Sequence, residues 1–320
     1  MDSEAPYANL SPDLILDAVA DAGYEPDGRM LAMGSYENRV YQVGIEDTTP
    51  LIVKFYRPGR WSDAAIDEEH QFALELFAAE LPVVAPLVID GRTLLEFEEF
   101  RFSLYPRQGG RSPELESRDN LEWMGRLLAR IHGVGSRGAF GERGHIDLDT
   151  FVHEPADAVL DSELLPATLH QRYRELTLEL GDLLEERFEA VGPVRQIRLH
   201  GDCHRGNVLW TDAGPHFVDL DDARMGPAVQ DLWMLAPSPT SLDILLEGYA
   251  EFREFDSTEL ALIDPLRIMR QVHWAGWVAM RWHDSAFPMA FAHVGEARWW
   301  EEHCNDLGEA IDQMGGNARY

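Results

Sequence analysis

A chain of 320 residues has room for two lobes with separate cores, and its 45% hydrophobic content and mean hydropathy of -0.28 are those of a folded soluble protein rather than a disordered one. With 27 Lys and Arg against 57 Asp and Glu, the formal charge of -30 repels phosphates, which argues against nonspecific binding to nucleic acid or to anionic membranes. Cys203 and Cys304 are too few and too far apart for a disulfide framework or a zinc site, the chain starts without the basic and apolar segments of a secretory signal, and no apolar run approaches a membrane span, so the expected setting is the cytoplasm.

SPDLILDAVADAGY opens with Ser11 as a helix cap and Pro12 at the first helical position, and it sets Leu14, Ile15, Ala18 and Val19 on one face. MLAMG, RVYQVGI and PLIVKFY follow as β-rich runs separated by polar breaks. WSDAAIDEEHQFALELFAAEL then switches to helical spacing, and VVAPLVID and FRFSLYP fit two further strands. The first part of the chain thus reads as a helix, a five-stranded antiparallel sheet and one inserted helix. After Pro106, the loop QGGRSPELESRDN marks a boundary, so residues 1–106 and 107–320 are the expected lobes. Helical spacing covers 119–133, 166–190, 228–254, 257–284 and 295–313, with IRLH, VLW and HFVDL as short apolar runs between. The fold class is α+β, with a small sheet-bearing lobe and a larger helical one.

HGDCHRGNVLW sets Asp202 and Asn207 five positions apart on a loop. In that spacing an aspartate can orient an attacking hydroxyl and accept its proton, while the asparagine carbonyl ligates magnesium. HFVDLDD supplies a second carboxylate, Asp219, directly after an apolar run; asparagine and aspartate oxygens suit magnesium better than zinc or copper. Either fragment alone reads as a turn, and the combination shifts the odds to phosphoryl transfer. Lys54, on the third strand, can then reach the α- and β-phosphates of a nucleotide, and Glu69, preferred to Glu68, is its expected ion-pair partner. The loop GSYENRVY can lay backbone amides over the phosphates, with Ser35 as the contact residue, although it holds only one glycine. Tyr105 to Gln108, between the lobes, is where adenine would meet backbone groups.

HGDCHRGNVLW, FVDLDDARMGPAVQDLWML, SYENRVYQV and IVKFYRPGRW together resemble bacterial serine/threonine protein kinases of the aminoglycoside phosphotransferase and choline kinase-like superfamily, and EFREFDSTELALIDPLRIMR extends the likeness over nearly the whole chain. The resemblance implies a bilobal protein-kinase-like fold, ATP and magnesium as cofactors, and phosphorylation of protein serine or threonine in a cytoplasmic stress response. It also implies Asp202 as proton acceptor, Asn207 and Asp219 as magnesium ligands, Ser35 in contact with ATP and Lys54 on the phosphates. His200-Gly201-Asp202 stands where protein kinases have His-Arg-Asp, Val218-Asp219-Leu220 where Asp-Phe-Gly would begin, and no Ala-Pro-Glu follows, so control by activation-loop phosphorylation is not expected. A monomer with a protein substrate is the first reading. A kinase of amino alcohols, sugars or aminoglycosides would use the same parts, and the acidic charge does not choose between them. A binding module without catalysis is disfavoured by the intact Lys54, Asp202, Asn207 and Asp219.

Other residues carry competing readings. Asp231, at a helix start, is expected to support the catalytic loop by accepting from its amides. Asp221 either extends the metal site or is a solvated turn carboxylate. His200 reads as backbone scaffold. Cys203 reads as filler more than as an oxidation switch. Trp274, Trp277 and Met280 fall at helical spacing and read as core, and His273 and His283 lack a paired ligand motif.

Overall fold

The computed structural model of the chain describes residues 6–316, so the acidic opening of the sequence lies partly outside the described residues. Helix α1 (Pro12–Asp21) starts as its sequence dictates: the Ser11 hydroxyl accepts from the Leu14 amide at 3.2 Å, and Ile15, Ala18 and Val19 are buried. Strands β1 (Pro26–Ala32), β2 (Arg39–Ile45) and β3 (Leu51–Phe55) follow, then α2 (Asp63–Ala78), β4 (Leu95–Phe97) and β5 (Phe100–Pro106). They form one antiparallel sheet in the order β1-β2-β3-β5-β4.

One expected strand is corrected. VVAPLVID does not join the ladder as a strand. It runs alongside other segments through single bonds, Val84 N–H to Phe217 O at 2.9 Å and Leu87 N–H to Leu104 O at 2.7 Å. Pro82 and Pro86 lack the amide hydrogens a continuous ladder needs. The fifth strand is instead the three-residue β4, which turns tightly into β5 through Glu98 at φ 52.

The rest is mainly helical: α3 (Arg118–Gly135), a π-helical turn (Asp149–His153) leading into α4 (Glu154–Leu160), then α5 (His170–Val191). Next come β6 (Ile197–Arg198), a 3-10 turn (Arg205–Asn207), the hairpin β7 (Val208–Thr211) and β8 (Gly214–Phe217), and β9 (Met225–Gly226). The chain ends with α6 (Val229–Leu235), α7 (Pro239–Ala250), α8 (Ile263–Arg281), α9 (Ala286–Ala290) and α10 (Ala297–Gly316). The helical run expected over 228–254 is two helices, because Ser238 between two prolines caps a new one, its hydroxyl accepting from Ser241 N–H at 3.1 Å.

The chain divides into two compact units, one holding the residues up to Gly144 and 196–255, the other 145–195 and the residues from Asp256 onward. All the expected site residues lie in the first. That unit has two cores. Val19 and Ile15 of α1 pack with Val53, Phe55, Phe102 and Leu104 of the sheet. Phe72 and Leu76 of α2 pack away from that sheet core, with Met124, Leu128, Phe217, Leu232 and Tyr249. Each such aromatic or leucine contributes about 1.5–3 kcal/mol on burial, so α2 is fixed to the elements that flank residues 200–207. In the second unit Trp277 meets Phe287 at 4.8 Å and Trp274 meets Phe291 at 5.7 Å, which is core packing; Met280 departs from that expectation, being 46% exposed. No helix among the described residues is long and apolar enough to cross a membrane.

Candidate active site

Strand β3 carries Lys54 opposite Val40 on one side and Ser103 on the other. Its Nζ lies 3.0 Å from Asp221 Oδ1, 3.2 Å from Asp219 Oδ1 and 3.9 Å from Glu69 Oε1. Burial alone would push this ammonium down, but Asp221, Glu69 and Asp219 outweigh it and hold the pKa well above the ordinary lysine value. Burial raises the Glu69 carboxyl, against the pull of Lys54 and Arg143. Of the two neighbouring glutamates, only Glu69 reaches Lys54. Glu68 turns to the backbone, accepting from Gly141 N–H at 2.6 Å, Glu142 N–H at 2.9 Å and Arg143 N–H at 3.2 Å.

Several charged residues of this cluster went unforeseen. Asp221 is not a solvated turn carboxylate: it is buried, and Lys54 and Arg60 enclose it. Burial would raise its carboxyl, and Arg60, Lys54 and Arg143 hold it well below the usual range. Arg60 also meets Asp222 at 2.6 Å and Glu37 at 3.6 Å. Arg143 is fully buried under Trp61, 4.2 Å from the ring centre, and donates to Ala223 O at 2.7 Å, Ala65 O at 2.9 Å and the Asp221 carbonyl. It thereby joins α2 to the segment following Asp219. Arg60 stands in the RPGRW segment just after Lys54, a usable signal; Arg143, in a loop of glycines and charges, gives none.

The loop containing Asp202 is held from beneath. Asp231 of α6 accepts from His200 N–H and Gly201 N–H, each at 2.9 Å, as anticipated for a supporting carboxylate. Burial would raise Asp231, and the hydrogen bond from His132 at 3.1 Å, with His200, brings it below the ordinary value. His200 itself is scaffold, its Nε2 donating to Val218 O at 3.0 Å. Gly201 has φ +81, and a Cβ there would collide with the Asp222 carbonyl oxygen, so the motif requires glycine at this position. Asn207 Nδ2 donates to Asp202 O at 3.0 Å, while Asn207 O accepts from Val218 N–H at 3.0 Å, tying Asn207 to the residue before Asp219. Asp219 adopts φ 60, a left-handed conformation that aspartate tolerates better than most residues, and its carboxylate is 52% exposed. Cys203 is fully buried, and burial, with Asp231 and Asp202, pushes its thiol up, which leaves little thiolate to oxidise.

The remaining expected residues are less tightly gathered. Tyr105 joins a network in which its hydroxyl lies 3.1 Å from Tyr56 OH and 3.4 Å from His70 Nε2, and His70 Nδ1 meets Thr93 at 2.8 Å. Ser35 is half-buried in the loop between β1 and β2, its amide donating to Met33 O at 2.8 Å. The loop is tied to the charged cluster by Glu37 through Arg60, rather than by Ser35.

Residues 30–263 match the phosphotransferase enzyme family. The chain belongs to this family. Stress response kinase A of Escherichia coli strain K12 is 44% identical to this phosphotransferase over 310 residues, covering 95% of this chain and 94% of that protein. The serine/threonine protein kinase RdoA of Salmonella typhimurium strain LT2 is 42% identical over 305 residues, covering 94% of this chain and 92% of the relative. A microcompartment-associated aminopropanol kinase shares the fold, with a TM-score of 0.71 at 18% identity over 95% of this chain and 99% of its own. With kinases as its near relatives, the chain is an ATP-dependent phosphotransferase.

The donor set of this phosphotransferase fits a hard cation. Asn207 has spent its amide hydrogens on Asp202 and keeps its oxygen as acceptor, and Asp219 presents a half-exposed carboxylate from the adjoining segment. One carboxylate and one amide oxygen do not make an all-protein cage, and among the described residues there is no group of three His, Cys, Asp or Glu suited to a metal. Magnesium is commonly held this way, by one or two protein oxygens together with water and substrate phosphates.

Proposed function

We propose that the protein is an ATP- and magnesium-dependent serine/threonine protein kinase that works as a monomer in a cytoplasmic stress response. Residues 1–106 would serve the nucleotide and 107–320 the acceptor and the chemistry. The observation that carries the phosphoryl-transfer reading is the ion-pair chain Glu69–Lys54–Asp219, a buried cation held charged beside a half-exposed carboxylate. Lys54 binds the α- and β-phosphates, Glu69 holds Lys54, the amides around Ser35 cover the phosphates, and Tyr105 to Gln108 meet the adenine. Asn207 and Asp219 hold magnesium, which when bound offsets the charge of the transferring phosphoryl group. Asp202 turns the acceptor hydroxyl in line and takes its proton as the new phosphorus–oxygen bond forms. Positioning and electrostatics therefore account for the rate.

The protein acceptor is supported by full-length relatives at 42–44% identity, one of them called a serine/threonine protein kinase. The competing reading, a small-molecule kinase, draws on the fold shared with an aminopropanol kinase. Labelled ATP offered to dephosphorylated casein and, separately, to a panel of amino alcohols and aminoglycosides separates the two. The expected result is acid-stable phosphoserine or phosphothreonine; label confined to the small molecules replaces the protein kinase reading, and nucleotide binding without turnover replaces both.

A further inference from the structure

The second histidine of HGDCHRGN has no part in the account so far. His204 is 41% exposed at its side chain and caps the 3-10 turn Arg205–Asn207, with Nδ1 accepting from Gly206 N–H at 2.9 Å. A ring nitrogen that accepts from an amide carries no hydrogen, so the hydrogen-bond pattern assigns the proton of the neutral imidazole to Nε2. That Nε2 lies 3.3 Å from Asp202 Oδ2, the same oxygen that Asn207 Nδ2 approaches at 3.4 Å. The backbone thus fixes the tautomer, and the tautomer sets a proton-bearing nitrogen beside the carboxylate.

We propose that His204 is a positioning residue for Asp202, setting the rotation of its carboxylate toward the acceptor hydroxyl. This rests on the reading of Asp202 as the proton acceptor. The carboxylate torsion is broad and two-fold when unconstrained. The imidazole standing 3.3 Å from Oδ2 and the Asn207 amide donating to the same oxygen at 3.4 Å bias the group toward one orientation before the acceptor arrives. The proton that leaves the acceptor goes to Asp202, and His204 keeps its own. Misplacement of a base by about 1 Å costs about a hundredfold in rate, so partial loss of this constraint has a measurable effect.

Two replacements separate the imidazole's two contacts, the cap on Gly206 and the approach to Asp202. In His204→Asn the side-chain oxygen can still cap Gly206 as Nδ1 does, but nothing reaches Asp202. In His204→Gln the amide nitrogen can occupy the place of Nε2, and the cap is given up. With labelled ATP and whichever acceptor takes label from the wild type, kcat should fall roughly tenfold in His204→Asn, with KM and binding affinity for magnesium-ATP unchanged, while His204→Gln keeps most of the wild-type rate. A histidine that merely shapes the turn gives the reverse order. The inference is overturned if His204→Asn is as fast as the wild type, or if His204→Gln is no faster than His204→Asn. Asp202→Asn run alongside distinguishes the failures: its inactivity with a fast His204→Asn removes only the role of His204, and its full activity removes the reading of Asp202 as well.

Discussion

Residues 200–207 and residues 33–38 serve one cluster of charges but are held by different means. Two amides of the first loop end on Asp231, a carboxylate with no exposure that is itself held by His132, and Cys203 is buried within the loop. The second loop leaves Met33 and Tyr36 each 43% exposed and is strapped by side-chain cations: Arg57 donates to Glu37 O at 3.0 Å and to Tyr36 O at 3.3 Å, and its amide donates to Asn38 Oδ1 at 3.1 Å. The difference assigns them separate kinetic signatures. On the proposed function, a loop fixed from the core would keep Asp202 in place during the chemical step, whereas a strapped loop would tune how tightly phosphates are covered.

Among changes to the supports of the two loops, the largest effect should come from Asp231→Asn. The amide can satisfy at most one of the two backbone donors and turns a hydrogen toward the other, so kcat should drop by about a hundredfold, with a stability loss of roughly 3 kcal/mol; steady-state kinetics and denaturant melts check both, and a kcat within twofold of wild type would break the comparison. Arg57→Lys keeps the charge and loses the fork. It should raise KM for ATP severalfold and leave kcat within about twofold, and an equal loss in kcat would erase the distinction between the loops.

A smaller effect concerns stability. Burial first, then Lys54 and Arg143, depress the His70 pKa from 6.5 to about 3. Between those values the unfolded chain holds more protons than the folded one, so stability is full above pH 6.5 and is lost as pH falls toward 3, by up to about 1.4 kcal/mol per pH unit. Thermal melts of the wild type and His70→Asn from pH 7.5 to 4.5 should diverge in slope, the wild type falling faster. Parallel slopes would contradict the assignment.

Legibility followed the distance over which residues cooperate. Asp202, Asn207 and Asp219 sit in two short segments, so their gathering could be expected from spacing alone; Asp231 was reachable because helix starts favour carboxylates. The enclosure of Asp221 was not, since Arg60 lies 161 positions away and nothing local distinguishes a buried aspartate from a turn residue. The dual bond of Arg143 to α2 and to the segment after Asp219 is likewise a tertiary fact. For the fold, capping and alternation were enough for α1, β2 and β5. They misread residues 83–90, where apolar content suggested a strand that Pro86 and the preceding Pro82 prevented.

The most direct test compares Asp202→Asn with the wild type in a single preparation, measuring magnesium-ATP affinity by equilibrium titration and phosphoryl transfer by single-turnover labelling. The replacement is isosteric and leaves Lys54, Asn207 and Asp219 intact, so the account predicts unchanged nucleotide affinity and a transfer rate lower by about 10²–10⁴-fold. Transfer at the wild-type rate, with nucleotide bound as before, would contradict it.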